Sequence, residues 1–293
     1  MLIKAGFDIT LECPFSTPMV LLVSARPERR ADILGEEVLT PTPQVPIQRF
    51  EDRFGNISHR LVAPPGLFNI ATSFTISDSG SADPVLPSAG QEDVQDLPLD
   101  ALPFLHGSRY CETDLLMQTA WSLFGATPPG WARVQAICDF VNRHLTFGYE
   151  FARNTRTAAE AFQDRVGVCR DFTHLAVALC RCMNIPARYC NGYLGDIGVP
   201  PDPAPMDFNA WFEAYLDGRW RIFDARHNMP RIGRIKVAHG HDAADTAMIT
   251  AFGNHALRKF QVITEEIVAS AAPHAAPPEV REPAPMDRTT LAA

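Results

Sequence analysis

The sequence predicts an α+β fold, a small all-β sandwich followed by a unit whose helices come first and whose strands come after. Three observations carry that expectation. Before about residue 80, apolar and polar side chains alternate with a period of two. Between residues 114 and 183 apolar side chains recur at helical spacing. Beyond Pro186 the period returns to two.

Residues 1–80 supply the sandwich. Phe7-Asp8-Ile9-Thr10-Leu11 alternates, Met19-Val20-Leu21-Leu22-Val23 suits a buried strand, and Phe68 to Ile76 alternates again with β-branched and aromatic residues on one face. Asp52-Arg53-Phe54-Gly55-Asn56 reads as a turn, because Gly and Asn take positive φ at little cost. This unit holds no nucleophile, base and acid together, so its reading is structural or a recognition module. Residues 81–103, rich in Ser, Gly, Asp and Pro, read as a linker, and residues 269–293, Ala/Pro-rich without periodicity, as a flexible tail.

Residues 104–268 form the second unit. Helices are expected over Asp114 to Phe124, Trp131 to Leu145 and Thr157 to Phe162, with Asp114 an N-cap and Gly125 a stop. A fourth starts at Cys169, buries Phe172, Leu175, Ala176, Leu179 and Met183, and is closed by Pro186. Ala187 to Leu194, Ala210 to Leu216 and Trp220 to Phe223 read as consecutive antiparallel strands, the last two joined by Asp217-Gly218, a strong hairpin signal. Arg234 to Ala238 and Arg258 to Ile267 are further strand candidates.

Composition narrows the function. The 293 residues carry 26 Lys plus Arg against 34 Asp plus Glu, a formal charge of -8, and no long basic run, which argues against a nucleic-acid partner. No apolar stretch is long enough for a bilayer and no secretion signal is visible, so no membrane partner is expected and the cytoplasm is the expected compartment. The seven cysteines are irregularly spaced, which speaks against a disulfide framework.

One cysteine stands apart. In Gly167-Val168-Cys169-Arg170-Asp171-Phe172 a glycine turn leads into the fourth helix with the thiol at the junction. Unpaired N–H groups and the positive end of the helix dipole favour a thiolate there, and a thiolate is a nucleophile. Ile185-Pro186-Ala187-Arg188-Tyr189 with Gly192-Tyr193, then Asp207-Phe208-Asn209-Ala210-Trp211-Phe212-Glu213, then Trp220-Arg221-Ile222-Phe223-Asp224-Ala225 follow in order. In this order the motifs resemble the bacterial transglutaminase-like superfamily, of papain-like cysteine protease fold, over roughly residues 1–268. Asp52 to Asn56 matches the turn of the β-rich region that precedes its catalytic core.

That resemblance implies a helix-borne Cys packed on an antiparallel sheet and a Cys-His-Asp triad. Position by position, Cys169 is the nucleophile and Asp224 the orienting acid, and the base position is Asn209. A carboxamide can hydrogen-bond a thiol but cannot accept and return its proton. His227, three residues past Asp224, is a candidate substitute base; His174, about 140° around the helix from Cys169, points away. Gln163 has the spacing of a side-chain oxyanion donor, with an exposed helix glutamine as the plainer reading. Trp211 is a candidate for lining the cleft or for packing within the sheet. Arg170 and Asp171 read as a local ion pair, and Arg226, Arg231 and Arg234 as a solvated cluster. His239, His241, Asp242 and Asp245 form no usual metal spacing, so neither metal nor cofactor is expected. Three readings remain open: a cysteine hydrolase or acyltransferase working on a peptide or protein amide through a Cys169 thioester, an inactive relative that binds peptide or protein partners in the same cleft, and a structural module with no ligand.

Overall fold

The computed structural model describes residues 1–268; the tail expected over 269–293 lies outside them. Seven strands open the chain: β1 (Leu2–Cys13), β2 (Thr17–Leu21), β3 (Ile33–Leu34), β4 (Thr40–Thr42), β5 (Gln48–Glu51), β6 (Ile57–Ala63) and β7 (Gly66–Ser77). The helices and short strands that follow are α1 (Thr113–Phe124), α2 (Trp131–His144), β8 (Thr146–Phe147), α3 (Ala158–Asp164), β9 (Val166–Gly167) and α4 (Cys169–Cys182). The chain then runs through β10 (Ala187–Tyr193), β11 (Asn209–Leu216), β12 (Arg219–Phe223), β13 (Ile235–Gly240), β14 (Ile249–Ala251) and β15 (Ala256–Glu266).

Two sheets make the sandwich, β15-β1-β7-β3 with β4 also on β7, and β14-β2-β6-β5. Their alternation is the one the sequence shows. Ile3, Phe7, Ile9 and Leu11 of β1, Phe68, Ile70 and Phe74 of β7, and Met19, Leu21 and Leu61 of the opposite sheet close on one core. Residues 249–266, grouped by sequence with the second unit, return to these sheets. β15 is antiparallel to β1 from Ile3↔Glu266 to Glu12↔Ala256, and β14 pairs with β2. An unpartnered edge on β1 would leave a row of backbone groups without hydrogen bonds, and β15 supplies them.

The third sheet, β12-β11-β10-β13, is antiparallel and works as a wall between two cores. Tyr193, Ile235 and Val237, with Phe208 just before β11, pack into the sandwich core, while Phe212, Ala214, Leu216 and Phe223 face the helices. α4 lies against that second face and beneath α1, α2 and α3, so every residue from Asp171 to Cys182 is buried. The amphipathic reading of α4 was therefore too narrow: a helix covered on all sides buries Thr173, His174 and Arg181 too. Arg181 is satisfied by backbone carbonyls, two bonds to Ala187 at 3.0 and 2.9 Å, one to His106 at 3.0 Å and one to His241 at 2.6 Å. The stretch read as a linker lies along this unit: Trp131 N–H donates to Ala89 O at 2.9 Å and Gln91 Nε2 to Met183 O at 3.0 Å.

Candidate active site

The entry to α4 is built by Gly167 and Asp171. A Cβ on Gly167 would fall 2.6 Å from the Asp171 Cβ, so only glycine lets the aspartate fold back over the helix start. There Asp171 Oδ2 accepts the Val168 N–H at 2.9 Å and an Arg156 Nη1 bond at 3.3 Å, and Arg170 Nη2 lies 3.5 Å from its other oxygen. This is the local ion pair and helix-start bond expected for Arg170 and Asp171. The β8–β9 pairing, Phe147↔Gly167, fixes the direction of approach.

Cys169 is half-buried at the first helical position. Its thiol is pushed up to about 11, first by burial and then by the Asp207 carboxylate; Arg226 and the backbone N–H groups of Ala210 and Arg170 pull the other way. Burial and the Asp207 charge thus oppose the thiolate that the helix start favours.

Asn209 opens β11 opposite Gly192. Its Nδ2 donates to Leu194 O at 3.2 Å and to Asp207 O at 3.3 Å, so the amide is tied to backbone. Gly192 allows this crossing: a Cβ there would meet Ile235 O at 2.1 Å, where the β10–β13 register shifts. Asp224 follows β12 and is saturated. Its Oδ1 accepts the backbone N–H groups of Arg226 at 3.0 Å and His227 at 2.9 Å. Its Oδ2 accepts His227 Nδ1 at 2.9 Å and Arg234 Nη2 at 2.8 Å. Burial opposes its ionisation, but the Arg234 charge and the His227 bonds overcome burial and hold the carboxyl well below the usual range.

His227, Asn209, Arg226, Asp207, Tyr149 and Arg231 line one cleft of about 220 Å³. Arg226 Nη1 sits 2.7 Å from His227 Nε2, and its guanidinium stacks 3.9 Å over the Phe147 ring. Since arginine can only donate, Nε2 accepts and Nδ1 carries the proton given to Asp224. Among the described residues no hydrogen bond joins a histidine to the Cys169 sulfur.

The other candidates separate clearly. Gln163 is exposed on α3 and joins none of the hydrogen bonds around Cys169. Trp211 is 1% exposed, which removes it from the cleft surface: it shares the Asn209 face of β11 but lies beneath the Arg234 guanidinium at 5.0 Å. His174 is a core histidine, stacked on Tyr110 at 5.1 Å and accepting the Ala243 N–H at 3.1 Å. His241 pairs with Asp245 at 2.8 Å, Asp242 accepts the Tyr110 N–H, and among the described residues no cluster of metal-ligating side chains occurs. Arg231 and Arg234 are buried and ion-paired, not a solvated cluster. Sequence reasoning did not assign Asp207, Arg226 or Tyr149 to the site. Asp207 was within reach of it, two residues before Asn209 and so on the same side of an extended chain; Tyr149, from the turn at Tyr149–Phe151, left no signal.

A thiol at a helix start packed beside an antiparallel sheet is the arrangement the fold class leads one to expect. A model of the transglutaminase-like superfamily matches residues 119–225. The crystal structure of a candidate cysteine protease from Cytophaga hutchinsonii is 33% identical, covers 93% of this chain and 93% of that one, and superimposes with a TM-score of 0.79. Uncharacterized protein ML0607 of Mycobacterium leprae (strain TN) is 34% identical over 84 residues, 28% of this chain, and the match spans only 30% of that curated relative's length. The chain belongs to the transglutaminase-like superfamily.

Proposed function

We propose that the chain is a transglutaminase-like cysteine hydrolase or acyltransferase that works on amide carbonyls, with Cys169 as nucleophile and the Asp224–His227 pair replacing the base that Asn209 cannot provide. The supporting observation is the 2.9 Å contact of His227 Nδ1 with Asp224 Oδ2, with His227 in the cleft that Asn209 also lines. The bond sets the tautomer a general base needs, with the lone pair on Nε2. As Arg226 leaves Nε2, that nitrogen takes the thiol proton and the sulfur attacks the carbonyl carbon. The tetrahedral adduct collapses with the C–N bond breaking, and the departing amine takes the proton from Nε2. The Cys169 thioester is then opened by water, or by an amine in transfer, and the thiol regains its proton through the same imidazole. The Cys169 backbone N–H is the oxyanion donor at hand.

A second reading, a pseudoenzyme that binds peptide or protein partners in this cleft, is favoured by the thiol standing at about 11 and by Arg226 on Nε2. Acylation of the full chain by p-nitrophenyl acetate, followed by the mass shift on Cys169, separates the two. The enzyme reading expects no adduct in Cys169→Ala and acylation slowed by roughly 10²-fold or more in His227→Gln. Acylation of His227→Gln at the parent rate would leave the binding reading standing.

A further inference from the structure

We infer that Asp83 and Arg234 are positioning residues for the Asp224–His227 pair, an inference that rests on the function proposed above. Asp83 belongs to the stretch the sequence presents as a linker, yet it is built into the second unit. Ala82 bridges to Ile232, and the Asp83 N–H donates to Arg231 O at 2.9 Å. Asp83 Oδ2 accepts the Arg231 N–H at 2.9 Å and Arg234 Nε at 2.8 Å. Arg234 then spends its Nη2 on Asp224 Oδ2 at 2.8 Å, the oxygen that also receives His227 Nδ1 at 2.9 Å. The Asp83, Arg234 and Asp224 side chains are only 13%, 5% and 3% exposed.

The geometry has a physical consequence. A guanidinium presents Nε and one Nη along one edge, a fork that fits a single carboxylate with two parallel bonds. Here the fork is divided between Asp83 and Asp224. One buried cation shared between the buried Asp224 and the half-buried Asp83 leaves Asp224 with negative charge to offer the imidazole. Without the Asp83 charge, Arg234 turns both donors toward Asp224, its remaining buried anion, and competes with His227 for Oδ2. Asp83 thus acts through Arg234 and Asp224, without touching the cleft. Arg231, held by the same carboxylate, continues to Gly195 O at 2.9 Å and Asp196 Oδ1 at 3.3 Å, tying the anchor to the cleft wall.

The test uses the full chain as Asp83→Asn, with Asp83→Glu as the charge-restoring variant and circular dichroism as the control for folding. The first readout is solvent exchange of the His227 Nδ1 proton by NMR on histidine-labelled protein, independent of thiol chemistry. The second is p-nitrophenyl acetate acylation of Cys169, alone and combined with His227→Gln. Asp83→Asn is expected to speed Nδ1–H exchange and slow acylation, each about tenfold, Asp83→Glu to recover most of both, and Asp83→Asn to add nothing to His227→Gln. Unchanged Nδ1–H exchange in folded Asp83→Asn overturns the inference, as does an acylation loss that persists undiminished on the His227→Gln background. Should His227→Gln acylate at the parent rate while Asp83→Asn still loosens the Nδ1 proton, the proposed base fails and the positioning role holds.

Discussion

Asp224 Oδ2 receives His227 Nδ1 at 2.9 Å, so the acid at the end of β12 orients an imidazole only three residues further along the chain. The contact is local: Asp224 Oδ1 also accepts the N–H groups of Arg226 and His227, closing a turn around the carboxylate. The imidazole on this carboxylate thus comes from its own turn, not from the neighbouring strand.

Asn209→His should place an imidazole at the start of β11 beside the cleft. It loses the amide bonds to Leu194 O and Asp207 O. With His227 as the base, amide hydrolysis is expected to stay within a few-fold of the parent. Assay of peptide-amide turnover checks this, and a gain of ~10²-fold, the lower end of what a positioned base contributes, would mean that His227 does not serve as the base.

Asp207 and Arg226 act on the Cys169 thiol with opposite sign, Asp207 raising its pKa and Arg226 lowering it. Iodoacetamide alkylation followed against pH should therefore shift its inflection to lower pH in Asp207→Asn and to higher pH in Arg226→Gln. Shifts in the same direction would mean that the thiol senses a change of packing, not these charges.

Asp171→Ala removes a fully buried carboxylate that satisfies the Val168 N–H and part of the Arg156 charge. A loss of roughly 2–3 kcal/mol is expected in urea unfolding. Gly167→Ala should disturb the same turn through the Asp171 side chain, since its Cβ needs the space Asp171 fills. A parent-like unfolding midpoint for both variants would remove this bracket from the account of the Cys169 helix.

Buried titratable groups predict how stability varies with pH. Burial lowers His239 from 6.5 to about 2 and His59 from 6.5 to about 4, so the unfolded chain binds protons that the folded one does not. Their contribution is full above pH 6.5 and is lost as pH falls below it. Burial raises Glu37 from 4.5 to about 7, and its contribution is full below pH 4.5 and lost as pH rises through 7. Between pH 4.5 and 6.5, His239→Gln should flatten the rise of stability with pH and Glu37→Gln should steepen it. Urea midpoints across that window test both signs.

Much of the fold was legible because periodicity reports which face of an element is covered. The alternation of β1 and β7, the four helices and the Asp217-Gly218 hairpin are local patterns, and the structure follows them; Asp217 and Gly218 take φ of 53° and 71°. The return of β15 to β1 was not legible, since pairing between strands so far apart in sequence leaves no local mark.

By itself the sequence determined the position of the thiol, the acid, and an asparagine where the family's pattern has a histidine, because motifs are carried by residue identity and order. Only the tertiary structure decided their states. Burial and the Asp207 charge raise the Cys169 thiol, Arg226 closes on His227 Nε2, Trp211 lies under Arg234, and Asp83 joins Arg234 across the wall of the second unit. Charge and desolvation act through space over a few ångströms, whereas sequence separation says little about which side chains meet at that range.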